Sequence, residues 1–206
     1  INPSKGFTIK ALFDLEKNDF IEGLNLSDSG TLLEEFKPND LARFQINGTY
    51  HYELPWKKRW TISLKGHAGW INKQNVDPFF HFYLGGIPGL KGYPFYSIQG
   101  TKSSFIDAIF RIPVFRERHY KFKWMIFQNS TLGAIFQAGD AWTDDFLIKR
   151  SLGIQWRLNG FSFYNFPTAI ELEYHQPLDK FEKEINEENI LYGDKGRAYL
   201  KILFDF

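Results

Sequence analysis

The chain has 206 residues, a formal net charge of +1 and 43% apolar residues, enough for one domain and without an electrostatic case for nucleic acid. Aromatic residues make up 18% and charged residues 24%, a balance that argues against disorder. The absence of cysteine excludes a zinc–thiolate site, a disulfide framework and a cysteine nucleophile, and no apolar run reaches the ~18 residues of a membrane helix, which leaves strand-built membrane proteins open.

The first residues, INPSKG, carry no initiator Met and no signal peptide, so the chain is expected to be mature, trimmed or cut from something longer. From there the dominant period is two. Eight alternating segments are expected as strands, at roughly 7–15, 41–54, 59–71, 103–115, 127–138, 148–159, 167–176 and 197–206. In the second, Phe44, Ile46, Tyr50, Tyr52 and Leu54 alternate with Arg43, Gln45, Asn47, Thr49 and His51. The third, RWTISLKGHAGWI, sets Trp60, Ile62, Leu64, Ala68 and Trp70 against Thr61, Ser63, Lys65 and His67. The fourth opposes Ile106, Ala108, Phe110, Ile112 and Val114 to Asp107 and Arg111. The last puts Ala198, Leu200, Ile202, Phe204 and Phe206 on one face. Stretches 16–40 and 177–196 are charged and lack a sustained stripe, so they are expected as solvated loops, with a helical turn as the alternative.

The joins after segments 2, 4 and 6 are short, and those after 1, 3 and 7 are long. Up-and-down strands with short turns at one end and long loops at the other explain this, with both termini at the short-turn end. A soluble β-sandwich alternates too. Three features favour a membrane wall. Trp60 and Trp70 bracket the apolar face of segment 3, and ten tilted residues span about 25 Å, the height of an outer-membrane apolar band with aromatic rims. The opposite face is richly polar, with Lys65, His67, Asp107, Arg111, Gln155, Arg157, Glu171 and Glu173. The chain also closes on an aromatic strand. The fold expected from the residues is all-β, an antiparallel up-and-down transmembrane β-barrel.

The long join 72–102 holds LGGIPGLKGYPFYSIQG, rich in glycine around Lys91. With the preceding Tyr83 it resembles the bacterial surface antigen superfamily of outer-membrane assembly and translocation barrels, the BamA- and TamA-like proteins. NPSKGFTIKALFDL, FYLGGIPGLKGY, FRIPVF, LGAIFQAGDAW, RSLGIQWRLN, FPTAIELEYHQPL and LKILFDF are similar to successive pieces of that barrel in the same order, across nearly the whole chain. The resemblance implies that residues 1–206 are the C-terminal eight strands of a sixteen-stranded barrel in the bacterial outer membrane. Strands upstream of residue 1 would pair with the free edges, because eight strands alone would close around too little space for the loop.

It further implies that the motif Gly85, Gly86, Leu90, Lys91, Gly92 and Tyr93 folds inside the barrel against Gln137 and Gly139 on the wall. Lys91 stands where the superfamily has arginine, and Gln137 where it has an acid. The contact would then be an ion–dipole bond, or Lys91 would find Asp140, Asp107 or Glu173. Phe204 and Phe206 belong to the closing strand, and Trp60 and Trp70 to the interface. The implied function is non-enzymatic help in inserting or translocating polypeptide, with outer-membrane lipid and unfolded outer-membrane polypeptides as partners. GLKGYPFYSIQG and FRIPVFRE are also similar to barrels that follow a TolB-like propeller, which gives a second reading as an anchor for a periplasmic module. A soluble β-barrel around an apolar ligand is a third.

Little else in the chain points to chemistry. His51, His67, His81, His119 and His175 show no ligand spacing, the Gly-rich stretch lacks the Lys-Ser/Thr ending of a nucleotide loop, and no cofactor or metal is expected. Ser63 or Ser97 with His67 makes a weak case for hydrolysis, and DAWTDD (140–145) a weak one for calcium. FRERHYKFK (115–123) is a basic short turn, either simply solvated or in touch with phospholipid or a partner.

Overall fold

The computed structural model describes residues 5–204, apart from 28–29, 117, 164–165 and 186–187. The chain is all-β and antiparallel. Eight long strands follow one another as a meander: β1 (Gly6–Leu26), β2 (Leu32–Glu53), β3 (Thr61–Ile71), β6 (Lys102–Phe115), β8 (Met125–Trp142), β9 (Lys149–Ser162), β10 (Phe166–Pro177) and β13 (Arg197–Phe204), paired in that order. The small elements are a 3₁₀ turn at Pro78–Phe80, β4 (Phe82–Tyr83) paired with β5 (Gln99–Gly100), β7 (Tyr120–Phe122) on β8, and the hairpin β11 (Phe181–Ile185) with β12 (Glu188–Tyr192). Each of the eight expected segments falls on one of these strands, with 41–54, 59–71 and 148–159 overrunning β2, β3 and β9 by one or two residues and positions 205–206 of the last lying outside the described residues.

The alternation is inside-out for a protein in water. On one face the register aligns Tyr52, Ile62, Phe110, Ala134, Ile154, Tyr174 and Ala198 in a single row. A neighbouring row runs Ile112, Leu132, Trp156, Leu172 and Leu200. Most of these side chains are exposed, Ile154 to 66% and Leu200 to 64%, with Ile62 and Ile112 half-buried. The opposite face is covered and polar: Ser63, Asp107, Arg111, Gln137, Ser151, Gln155, Glu171, Glu173 and His175 are all buried. The half-buried Trp60 packs edge-on against Phe110 at 5.5 Å, and Trp70 lies half-exposed ten residues further along.

The polar face is concave, since residues from β2, β3, β6, β8, β9, β10 and β13 line one cavity of ≈ 790 Å³. Among the described residues no ladder joins β1 to β13, which are the two outermost strands of the sheet. The apolar core does not lie between two layers of sheet. It forms where the 72–101 loop packs on the concave face, with Val76, Phe80, Phe82, Leu84, Leu90, Tyr93 and Ile98 set against Leu41, Ile71, Phe105 and Ala141.

Two expectations are corrected. Segment 16–40 is not a loop. β1 and β2 continue past the sheet as a two-stranded ribbon, in register from Glu16 opposite Leu41 to Leu26 opposite Leu32, with one shift between Ile21 and Gly23. Most of its residues are exposed on both faces, so backbone pairing holds the ribbon and no one-sided stripe was needed in the sequence. Segment 177–196 carries the β11–β12 hairpin, anchored by Phe181, whose ring lies 5.8 Å from that of Tyr93.

Candidate functional site

The site is the seat of the Gly85–Tyr93 motif on the concave wall. The 72–101 loop enters at Ile71, whose N–H donates to the carbonyl of Thr101 across the neck, and its course is fixed by its own turns. The Leu84 carbonyl accepts the Leu90 N–H at 2.5 Å, and the Gly86 N–H donates to the carbonyls of Leu90 and Tyr93. Gly86 has φ +78°, a conformation that side chains other than glycine's rarely adopt. At Gly92 the loop backbone comes so close to the wall that a Cβ would sit 2.8 Å from that of Ser151 and 3.2 Å from the Pro177 nitrogen.

Gln137 and Lys91 meet, but not through the lysine side chain. The Gln137 side-chain oxygen accepts the Lys91 backbone N–H at 2.9 Å, and its amide donates to the Gly89 carbonyl at 3.2 Å. Ser151 donates to the same Gln137 oxygen at 3.2 Å. A carboxylate could accept there but could not donate to Gly89, so a neutral amide fits this position. We expect Gln137→Glu to destabilise the protein by about 1–3 kcal/mol, because the Gly89 carbonyl loses its donor in a covered place. The new charge would also lie directly across the ladder from Asp107. Urea unfolding in detergent measures this; a neutral or stabilising result would show that an acid is at home here.

The Lys91 ammonium reaches past β8 and β9 to β10, where it lies 2.6 Å from Glu173 Oε2. Glu173 is a hub. Its Oε2 also accepts from Lys201 at 2.9 Å and lies 3.3 Å from His175 Nε2, and its Oε1 accepts the Gln155 amide at 2.7 Å. From Gln155 the network runs to Arg111 at 2.9 Å and on to Ser63 at 3.0 Å; from Lys201 it runs to Glu171 at 3.0 Å, which pairs with Arg157 at 3.4 Å. Burial of such charges is tolerated only when each has its partners, and this network supplies them from five strands. Of the other acids open to Lys91, Asp140 is taken by Lys149 at 2.6 Å and by the Leu147 N–H, while Asp107 lies across from Lys65 and Gln137 in the ladder.

Tyr93 completes the lock. It is fully buried, and its hydroxyl lies 2.9 Å from the carbonyls of Arg150 and Asp179 while accepting the Asp179 N–H at 3.3 Å. Burial pushes its pKa up to about 12, so the hydroxyl stays a donor. Arg150 grips the Asp179 carboxylate through Nε and Nη2 and holds it below the usual carboxylate range. The Lys91 carbonyl accepts from Tyr199 on β13 at 2.7 Å. The loop is thus tied to β8, β9, β10 and β13 and to the segment that follows β10.

The remaining expected residues fall as follows. Leu90 is fully buried in the loop core. Gly85 faces the Pro94 carbonyl, and Gly139 lies against Ser104 and Phe105 of β6, where a Cβ would meet the Ser104 oxygen at 2.5 Å; neither touches Lys91 in any hydrogen bond or ion pair. Phe204 is half-exposed at the end of β13, whereas Phe206 and most of the NPSKG opening lie outside the described residues. Tyr199, Arg150 and Asp179 were not foreseen. Tyr199 and Lys201 share the inward parity of β13, which was the one signal available for Tyr199. Arg150, at the start of β9, and Asp179, just past β10, meet Tyr93 through a contact that no periodicity marks. Among the described residues there is no cluster of His, Asp and Glu that could hold a metal ion. Comparisons with protein-family models, with curated proteins and with solved structures give no match to this chain.

Proposed function

We propose that the chain is the wall of a bacterial outer-membrane β-barrel of the surface antigen kind, working in the insertion or translocation of polypeptide. One observation carries the membrane part: across eight strands the open face is apolar and the covered face is charged. Monomers in water rarely expose contiguous apolar patches beyond a few hundred Å². A sheet facing hydrocarbon needs this arrangement, with aromatic residues at its rims. The polar concave side speaks against a soluble barrel built around an apolar ligand.

The lack of a ladder between β1 and β13 among the described residues supports the larger wall. Unpaired backbone N–H and C=O groups are not sustained in hydrocarbon, so each edge requires a strand partner there. A wall with two such seams, braced from inside by a locked loop, can exchange strand partners at a seam while the braced half keeps its shape. That is the physical basis for acting on other polypeptides. The density of the lock favours a second reading, in which the barrel is static and anchors a periplasmic module.

The test is reconstitution of the full gene product in liposomes, followed by the rate at which an unfolded outer-membrane barrel acquires protease-resistant, heat-modifiable form. An accelerated rate over empty liposomes is expected. Integration without acceleration would leave the anchor, and a folded, water-soluble monomer in plain buffer would overturn both.

A further inference from the structure

The end of the sheet opposite the loop carries a charge that the site does not use. Two turns there, 54–60 and 116–124, hold seven lysines and arginines against one acid, Glu117. At the other end, the 16–40 ribbon has seven acids and two lysines, and the 178–196 segment six acids and three lysines. A chain of net charge +1 is therefore strongly polarised along its strands.

Pairing of β3 with β6 sets the two basic turns side by side, and the Arg116 guanidinium donates to the Lys58 carbonyl at 2.8 Å. Among the described residues, Lys57, Lys58, Arg116, Arg118, Lys121 and Lys123 have no carboxylate within ion-pair distance. Aromatic rings are interleaved with them. Trp56, Tyr120, Phe122 and Trp124 are exposed, Lys57 Nζ stands 5.8 Å from the Trp60 ring, and Lys123 Nζ 5.9 Å from that of Phe122. Trp60 in turn packs on Phe110 of the apolar face. The cations thus begin where the apolar face ends.

We propose that these two turns are a docking surface for anionic phospholipid headgroups, on the leaflet where the short turns emerge. This rests on the membrane-wall reading above. Lysine and arginine close to a membrane surface are drawn to anionic lipid within a Debye length, and aromatic rings settle at headgroup level. An acidic protein partner would satisfy the charge but not the continuity of exposed rings with the apolar face; the headgroup layer satisfies both.

The test uses the full chain in phosphatidylcholine bilayers containing a minor share of phosphatidylglycerol. Spin-labelled forms of each lipid report how much of it is immobilised at the protein surface. The native protein is expected to favour phosphatidylglycerol by roughly twofold or more. The variant Lys57→Gln/Lys58→Gln/Lys121→Gln/Lys123→Gln is expected to show no preference while immobilising the same total lipid, because all four side chains are exposed and none belongs to the apolar face. High salt should abolish the preference of the native protein. Immobilised lipid without headgroup preference, or a preference equal in the variant, overturns this proposal alone. Absence of immobilised lipid of either kind overturns the membrane wall and this proposal with it.

Discussion

Glu173→Ala is expected to release the 84–100 stretch from the wall and to destabilise the protein more than Lys91→Ala does. Glu173 accepts from Lys91, Lys201 and Gln155 and is 99% buried in its side chain. Its loss leaves two ammonium groups in a covered place, one with only Glu171 and the other with no acid. Breaking a buried pair by removing one partner costs about 3–5 kcal/mol. Lys91→Ala is milder, because Glu173 keeps Lys201 and Gln155. Both variants should leave the strand ladders in place, since neither side chain takes part in backbone pairing. Protease cleavage within 84–100, followed in membranes, should rise in both and rise further for Glu173→Ala. Glu173→Gln serves as the variant of conserved shape and should fall between them. Equal cleavage in Lys91→Ala and Glu173→Ala, or the reverse order, would remove Glu173 from the centre of the lock.

Ile154→Arg is the second large effect. Ile154 lies in the row that runs from Tyr52 to Ala198, with the Leu132–Trp156–Leu172 row on one side and Phe136 opposite Leu152 on the other. It is therefore in the middle of the apolar face. If that face meets hydrocarbon, an arginine there costs about 2–4 kcal/mol. If it meets water, an exposed substitution is expected within about 0.5 kcal/mol. Urea unfolding from lipid vesicles separates these outcomes, and a change inside the smaller range would sink the membrane reading. Exposure of 66% in the isolated chain is what allows so large a penalty, because nothing in the protein itself covers the side chain.

The two predictions probe opposite faces of the same strands, and the faces were unequally legible. The parity of each strand could be read from the residues, because a period of two sends neighbours to opposite sides whatever the register. Ile154 outward and Gln155 inward follow from RSLGIQWRLN alone. The ribbon at 16–40 could not be read in this way. Both of its faces meet the same surroundings, so Phe20, Ile21, Leu24 and Phe36 show no alternation against Glu16, Asp19 and Glu34. The β11–β12 hairpin escaped for the same reason, its charge being spread over both faces.

The sequence by itself determined that this protein is an antiparallel meander of eight strands with one apolar and one polar face, and that a glycine-rich loop interrupts it between the third and fourth long strands. Local chemistry suffices for that, since strand parity and turn residues act over a few positions. Only the tertiary structure decided that the apolar core forms between the loop and the concave wall, that Gln137 grips backbone while Lys91 crosses to Glu173, and that Tyr93 is held by Arg150 and Asp179. These contacts join residues 46 to 108 positions apart in the chain. They depend on the curvature of the sheet and on how far the loop reaches across it. Neither quantity is carried by any short stretch of residues, and both follow only when all eight strands are paired in register.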